Sequence, residues 1–311
     1  MALFVVTLAT LIVSGLFWNQ FVLVRTIENQ ELISQSRLLL RGALDWARAI
    51  LREDARTTTV DALTEPWAQG LQETRLDQLG ETSALAARAS MAGSIEDAQS
   101  RFNLRNLINA QYEIDPIELA ALRKLMQLQQ IPEAVADLIA LRMQESLTPT
   151  PLDQGTSSAG QSASSGNAAA KPIPLVYPGD LVGIPGIDPD IARRLAPLIV
   201  ILDAPTPVNV NTVAETPEVI AARVPGMQLS DAKTLLNRRQ GYFRDLGDLT
   251  NVVNAIRPGL TINSVQLDVQ SRYFFVRGQV RLDRAVTRME ALVRRDPAAG
   301  GRVTVLWQRE I

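Results

Sequence analysis

"MALFVVTLATLIVSGLFWNQFVLV", residues 1–24, carries no charged side chain. As a helix rising about 1.5 Å per residue it is roughly 36 Å long, enough to cross a hydrocarbon core of about 30 Å. A secretory signal peptide fits poorly. No basic stretch stands ahead of the run, the run is too long, and no small-x-small site precedes Arg25. A buried core helix fits no better, because so long an uncharged apolar run normally means lipid.

The helical pattern continues beyond the run. Ile33, Leu40, Leu44, Ala47 and Leu51 recur at steps of seven, four, three and four, one stripe of a helix with about 3.6 residues per turn. Arg37, Arg41, Asp45, Arg48 and Arg52 take the other faces, and no proline intervenes before Pro66. The pattern predicts one continuous helix from Met1 to about Arg56, on the order of 80 Å long. Its first half lies in lipid and its second packs on a folded body.

That second half needs a face to cover its stripe. "SRYFFVRGQVRLD" (271–283) alternates, with Phe274, Val276, Val280 and Leu282 on one parity and Arg277, Gln279 and Arg281 on the other. "AVTRMEALVRR" follows a short Asp283–Arg284 turn, and "RVTVLWQRE" follows "DPAAGG". This predicts a three-stranded antiparallel meander. One or two further strands fit residues 83–107. Residues 116–147 read as two helices separated at Pro132, and helical patterning resumes from about 172 to 258. Residues 148–171 are rich in Ser, Gly, Ala and Pro and read as a flexible loop. The architecture expected is α+β with a helical insertion.

Composition narrows the function. The 311 residues, with a net charge of −2, suggest two domains. There is no Cys and no His, so thiol nucleophiles, zinc–thiolate sites and histidine-assisted catalysis are excluded. The adjacent carboxylates Glu96 and Asp97 point to opposite faces if they lie on a strand, which is no catalytic pair. The chain is not expected to be an enzyme.

A half-apolar, half-amphipathic N-terminal helix followed by a β-sheet resembles the type IV pilins and type II secretion pseudopilins. In that family a basic leader is removed by the prepilin peptidase, and Met1 stands where the first mature residue belongs. Most members carry Glu at the fifth mature position, facing the N-terminal amine of the subunit ahead. Here that position is Val5. An unpartnered carboxylate in hydrocarbon is costly, so a subunit with none ahead does better without it, as in the K minor pseudopilins at the tip. "EPWA" (Glu65, Pro66, Trp67), "IEDAQSRFNLRNL" (95–107, with Asp97, Arg101, Phe102, Asn103 and Leu104), "NVNT" (Asn209, Asn211) and "SRYFFV" (Arg272, Tyr273, Phe274) resemble K-family signatures in type and order.

The resemblance implies a pilin-like α+β fold with a large all-α insertion. Residues 1–24 are the transmembrane half-helix, 25–105 the first part of the pseudopilin domain, 106–262 the insertion and 263–311 the last strands. Phe102, Leu104 and Leu107 would anchor the entry to the insertion, and Asp97, Arg101 and Asn103 would hydrogen-bond its turn. It also implies a single-pass protein of the bacterial inner membrane, N-terminus cytoplasmic and body periplasmic. Its partners would be the I and J minor pseudopilins and other pseudopilus subunits. Val5, Leu8, Leu11, Ile12 and Leu16 belong to the helix that bundles with theirs. The role implied is to initiate and cap the pseudopilus in protein export, with no cofactor. Calcium is a family possibility. Asp180, Asp188 and Asp190 are the densest loop carboxylates, but no ligand spacing is recognisable.

"LVGIPGIDPDIARRLAP" (181–197) and "AARVPGMQLSDAKTLLNRR" (221–239) resemble helix-hairpin-helix units, which often bind DNA phosphate. The alternative is therefore a membrane-anchored DNA receptor of the competence type. Two features oppose it. Asp188 and Gln228 replace the second hairpin glycine, and residues 172–260 carry eight basic against nine acidic side chains. No nucleic-acid partner is expected.

Overall fold

The computed structural model describes residues 2–80, 83, 85–149, 171–297 and 300–311. The readings placed on Met1 and on residues 150–170 of the Ser/Gly-rich stretch fall outside these. Residues 1–57, 66–96 and 273–311 form one compact unit, and 58–65 and 97–272 form another.

In the first unit, α1 (Ala2–Thr57) is a single helix of 56 residues, about 84 Å long. It buries Ser36, Leu40, Leu44, Ala47, Leu51 and Asp54. The stripe therefore starts at Ser36, whose hydroxyl donates to the Leu32 carbonyl (2.8 Å), and Ile33 is only half-buried. At that level Leu32 and Leu39 are the residues of α1 that pack, against Leu76, Ala86, Ala89 and Leu282, and Ile33 lies beside that contact.

Five strands form the sheet: β1 (Leu71–Arg75), β2 (Ala89–Asp97), β3 (Tyr273–Leu282), β4 (Ala285–Asp296) and β5 (Arg302–Glu310), side by side in that order. β1–β2, β3–β4 and β4–β5 pair antiparallel. Leu282 faces Ala285 across the expected two-residue turn, in which Asp283 takes φ 48°. Leu292 faces Trp307 while Val293 faces Val305, so Leu306 is the extra residue of a bulge that bends β5. Leu40, Leu44 and Leu51 pack on Phe274, Val276, Val280, Met289, Val293 and Val303. Gly278 allows the close approach: a Cβ there would sit 3.2 Å from Leu40 Cδ2. On the opposite face, Glu290 accepts from Arg277 (2.9 Å) and Arg309 (2.9 Å).

The second unit is built from short elements. α2 (Pro116–Leu128) and α3 (Ala134–Leu147) are the two expected helices; α4 (Pro189–Leu195), α5 (Pro217–Arg223), α6 (Leu229–Arg238) and α7 (Leu246–Ile256) follow. Several starts have a visible cause. Asp115, just ahead of Pro116, accepts from the Ile117 amide (2.8 Å), and Asp245 accepts from that of Asp248 (2.8 Å). Two-residue parallel pairs join Phe102–Asn103 to Ile199–Val200 and Val208–Asn209 to Leu267–Asp268. One apolar core runs through the unit, including Phe102, Leu104, Leu122, Leu125, Ile139, Leu195, Ile220 and Leu235. The unit extends outside the expected 106–262, because Asp97 and Ser271 are hydrogen-bonded inside it.

Candidate functional site

The pattern of exposure along α1 is the first functional feature. Every residue from Ala2 to Gln30 is exposed, Val5, Leu8, Leu11, Ile12 and Leu16 among them. Thr7 and Thr10 turn their hydroxyls back onto carbonyls three and four residues earlier (2.9–3.1 Å), so the helix hides its own polar groups. It is the one helix among the described residues long and apolar enough to cross a membrane.

The second feature is a buried polar cluster made from the signature motifs. Asp97 Oδ2 accepts from Ser271 Oγ (2.5 Å), Thr212 Oγ1 (2.6 Å) and Asn209 Nδ2 (3.1 Å), while Oδ1 accepts from the Gln99 amide (2.7 Å). Burial pushes its carboxyl above the usual range, against the pull of these donors. Asn209 Nδ2 also donates to the Asp61 carbonyl (3.0 Å), and Asp61 Oδ2 accepts from the Ser271 amide (2.7 Å). The Arg272 amide donates to Gln99 Oε1 (2.7 Å). Asn103 holds Ala204 O (2.8 Å) and the amides of Arg105 and Leu202 (3.0 and 3.2 Å). Asn211 clasps both the amide and the carbonyl of Phe243 (2.7 and 2.9 Å). Phe102 and Leu104 are fully buried, and Arg101 is half-buried after the Asp97-capped turn. Four segments distant in sequence are thus tied at one point.

The remaining signature residues divide between the units. Trp67 packs edge-on against Phe274 in the sheet core, ring centroids 5.2 Å apart, beside the start of β3 at Tyr273. Pro66 opens the turn that delivers Trp67, and Glu65 accepts from the Ala62 amide (2.9 Å). Glu96 pairs with Arg277, whereas Asp97 faces the buried cluster. The two carboxylates serve separate structures.

The sequence reading missed the Glu118–Arg223 ion pair, in which Arg223 is 1% and Glu118 6% exposed. Arg223 also donates to Val265 O (2.9 Å) and lies 5.3 Å over the Phe102 ring. Burial raises the Glu118 pKa and lowers that of Arg223. Charged residues on an amphipathic helix read as its solvent face, so no sequence signal marked this pair.

The hairpin-like segments are spent internally. Gly186 (φ 93°) and Gly226 (φ 81°) make left-handed turns, but a 3-10 turn, Pro178–Gly183, stands where the leading helix of the first hairpin-like segment belongs. Asp231 accepts from the Gln228 amide at the start of α6 (2.8 Å), and Asp188 accepts from the Asp190 amide at the start of α4 (2.8 Å). Carboxylates thus stand where a phosphate would have to dock. Lys124 donates to the hairpin carbonyls of Val224 (3.2 Å) and Met227 (2.7 Å), and Arg239 to those of Val210 (2.7 Å) and Val213 (2.9 Å). Asp180 accepts from the Val176 and Tyr177 amides (both 2.8 Å), and Asp190 pairs with Arg193 (3.0 Å). Asp180, Asp188 and Asp190 serve helix starts and a guanidinium, and do not fit a calcium site.

A long half-bare helix on an antiparallel sheet, with a helical unit entered between β2 and β3, defines a pilin-like subunit whose inserted unit is mainly helical and, with its two short strand pairs, not the all-α unit expected. Two family models, both described as type II secretion system (T2SS), protein K, match residues 100–205 and 208–270, together more than half of the chain. The type II secretion system protein K of Pseudomonas aeruginosa is 29% identical over 292 residues, covering 90% of this chain and 82% of that protein. The fold is also that of a chain in the crystal structure of the GspK-GspI-GspJ complex from the enterotoxigenic Escherichia coli type 2 secretion system. There the TM-score is 0.68 at 22% identity, over 92% of this chain and 99% of that one. The chain belongs to the type II secretion system protein K family.

Proposed function

We propose that this chain is the minor pseudopilin at the tip of the type II secretion pseudopilus, where it initiates and caps assembly and so supports export of folded proteins. The observation that carries the reading is the stretch 2–24 of α1, exposed on all sides and free of charge, with Val5 in place of a carboxylate. Such a surface suits lipid and the helices of sister subunits, and Val5 suits a subunit with none ahead. The N-terminus would face the cytoplasm and the folded units the periplasm, after cleavage by the prepilin peptidase. The partners proposed are the I and J subunits, a choice supported by the complex that the E. coli relative forms. The extra helical unit supplies bulk that hinders further addition.

The test is co-expression of the full chain with the I and J subunits of its own system, followed by affinity purification in mild detergent. A stable three-subunit complex is expected, and Val5→Glu should lower secretion while leaving the chain in the membrane. Failure to co-purify with either partner overturns the reading. Salt-sensitive DNA binding without I or J would favour the receptor alternative instead.

A further inference from the structure

We propose that Arg25 and Arg284 form a cradle for the phosphodiester of a membrane phospholipid; this rests on reading α1 as the membrane anchor. Arg25 is the first charge after the apolar run. The β3–β4 turn returns to α1 at this level, where Arg284 Nη2 lies 3.3 Å and Arg25 Nη1 3.2 Å from the same Glu28 Oε2. Two guanidinium groups on one carboxylate leave a positive charge over, and both arginines are about half exposed. Asp283 does not cancel it, because Arg88 Nε donates to that carboxylate (3.0 Å). Glu31 keeps its charge, since the Gln35 amide that donates to it (3.1 Å) is neutral, but with Arg88 and Asp283 it lines the neighbouring hollow and not the one at Arg25.

The hollow here has Phe21 and Val22 on its apolar side, Arg25 and Arg284 as cations, and the amides of Asn29 and Gln30 as neutral hydrogen-bonding groups. Arg25 lies 5.4 Å over the Phe21 ring, its stem laid along apolar surface and its head at the border. That order of chemistries follows a lipid from acyl chain to headgroup, and guanidinium groups match phosphate oxygens in geometry as well as charge. A free phosphate would have no use for Phe21 and Val22. An anionic headgroup is favoured over a zwitterionic one, because no amine of its own offsets the phosphate. The cradle would thereby fix how far the folded sheet stands from the lipid surface.

The test uses the full chain extracted in mild detergent with mixed phosphatidylglycerol and phosphatidylcholine, with bound lipid counted by native mass spectrometry. Phosphatidylglycerol should be retained preferentially. Arg25→Ala and Arg284→Ala should each lower retention about fivefold, the double Lys variant should recover part of it, and Arg41→Ala should change nothing. Retention unaltered in the double Ala variant overturns the cradle, and displacement by millimolar inorganic phosphate overturns the lipid as its occupant. Carbonate extraction of membranes separates the two readings. If the unmodified chain washes off, the anchor reading falls and the cradle with it; if it stays while the double Ala variant keeps its lipid, the cradle alone falls.

Discussion

In the helix-and-sheet unit Leu40, Leu44 and Leu51 meet Phe274, Val276 and Val293 across a mainly apolar interface that a buried Asp54–Arg295 ion pair (2.6 Å) also crosses, whereas the helical unit buries a network of uncharged amides, Asn103, Asn106, Asn209 and Asn211, around Asp97. The difference follows from element length. A 56-residue helix and, β1 apart, strands of nine to twelve residues satisfy their own backbone groups, so apolar side chains do most of the joining. The helical unit has helices of 7 to 14 residues joined by turns. Many of its amides and carbonyls are buried away from any ladder, and side-chain amides take the place of a strand partner. Asn106, for example, bonds both the carbonyl and the amide of Thr206 (2.8 and 2.9 Å).

The sharpest way to break this contrast is Asp97→Ala. It takes an acceptor from two hydroxyls, a side-chain amide and a backbone amide, and of these Thr212 falls back on Asn209 O and Asn209 on Asp61 O and Ser271 Oγ. The expected loss is about 4 kcal/mol, at the top of the single-substitution range. Denaturant unfolding of the full chain in detergent, followed by helical circular dichroism, measures it. Asp97→Asn keeps one acceptor oxygen and should lose less. A loss under about 1 kcal/mol for the Ala variant would show that the polar cluster is incidental to the stability of the helical unit.

The same helix supplies the next comparison. Leu51 is fully buried and Leu11 is exposed, so Leu51→Ala should cost about 3 kcal/mol, while Leu11→Ala should leave unfolding of the folded units unchanged within about 0.5 kcal/mol. All four tryptophans, at 18, 46, 67 and 307, lie in the helix-and-sheet unit, so their fluorescence reports this loss directly. Equal effects from the two leucines would mean that the first half of α1 is packed within the subunit.

How much of this was legible depended on whether a residue's role repeats along the chain. The α1 stripe, the β3–β4–β5 meander and α2–α3 all repeat at helical or strand spacing, and their sequences predict them closely. β1, "LQETR", is polar, short and at the sheet edge, where one apolar contact holds no period, and it was not predicted. The first hairpin-like segment looked like its copy because its Pro-Gly turn is the same, yet "PGDLVG" closes as a 3-10 turn. Asp97, Asn209 and Ser271 could be recognised as parts of motifs, but only the fold brings them to one point. Glu118 belongs to no motif, and nothing in the hairpin-like segment that holds Arg223 points to a buried partner, so the pair stayed hidden.

A smaller effect separates neighbours in the β4–β5 turn. Gly300 has φ 64° with open space around its Cβ position. Gly301 has φ 74°, and a Cβ would come within 2.9 Å of Ala55 Cβ and 3.2 Å of Arg52 O on α1. Gly300→Ala should cost about 1 kcal/mol for the left-handed backbone, and Gly301→Ala about 2 kcal/mol with the contact against α1 added. Thermal unfolding read by tryptophan fluorescence ranks the pair. Equal shifts would place the helix further from the turn than the packing of α1 requires.

Acid should act on the two units in opposite directions, with effects smaller than any of these substitutions. Burial raises the carboxyl pKa values of Asp97, Glu118 and Asp268, all in the helical unit. In the sheet unit the shifts run downward. At Glu73 the Ser90 hydroxyl and Arg281 are responsible, at Asp283 it is Arg88, and at Glu290 burial opposes but bonds from Arg309 and Arg277 outweigh it. A lowered carboxyl contributes stability that is present above its unfolded value, about 4, and lost as pH falls through the folded value. A raised one behaves in reverse: the native state takes up the proton first, so stability drops as pH rises from about 4 through the folded value and returns as pH falls. Between about pH 6 and 3, tryptophan-detected unfolding should therefore move to lower temperature, while hydrogen-exchange protection across 97–272, corrected for intrinsic rate, should hold or grow. Parallel weakening of both units would mean that the helical unit's buried carboxyls are not shifted upward, and that donors such as Ser271 and Thr212 stabilise charge at Asp97 more than burial opposes it.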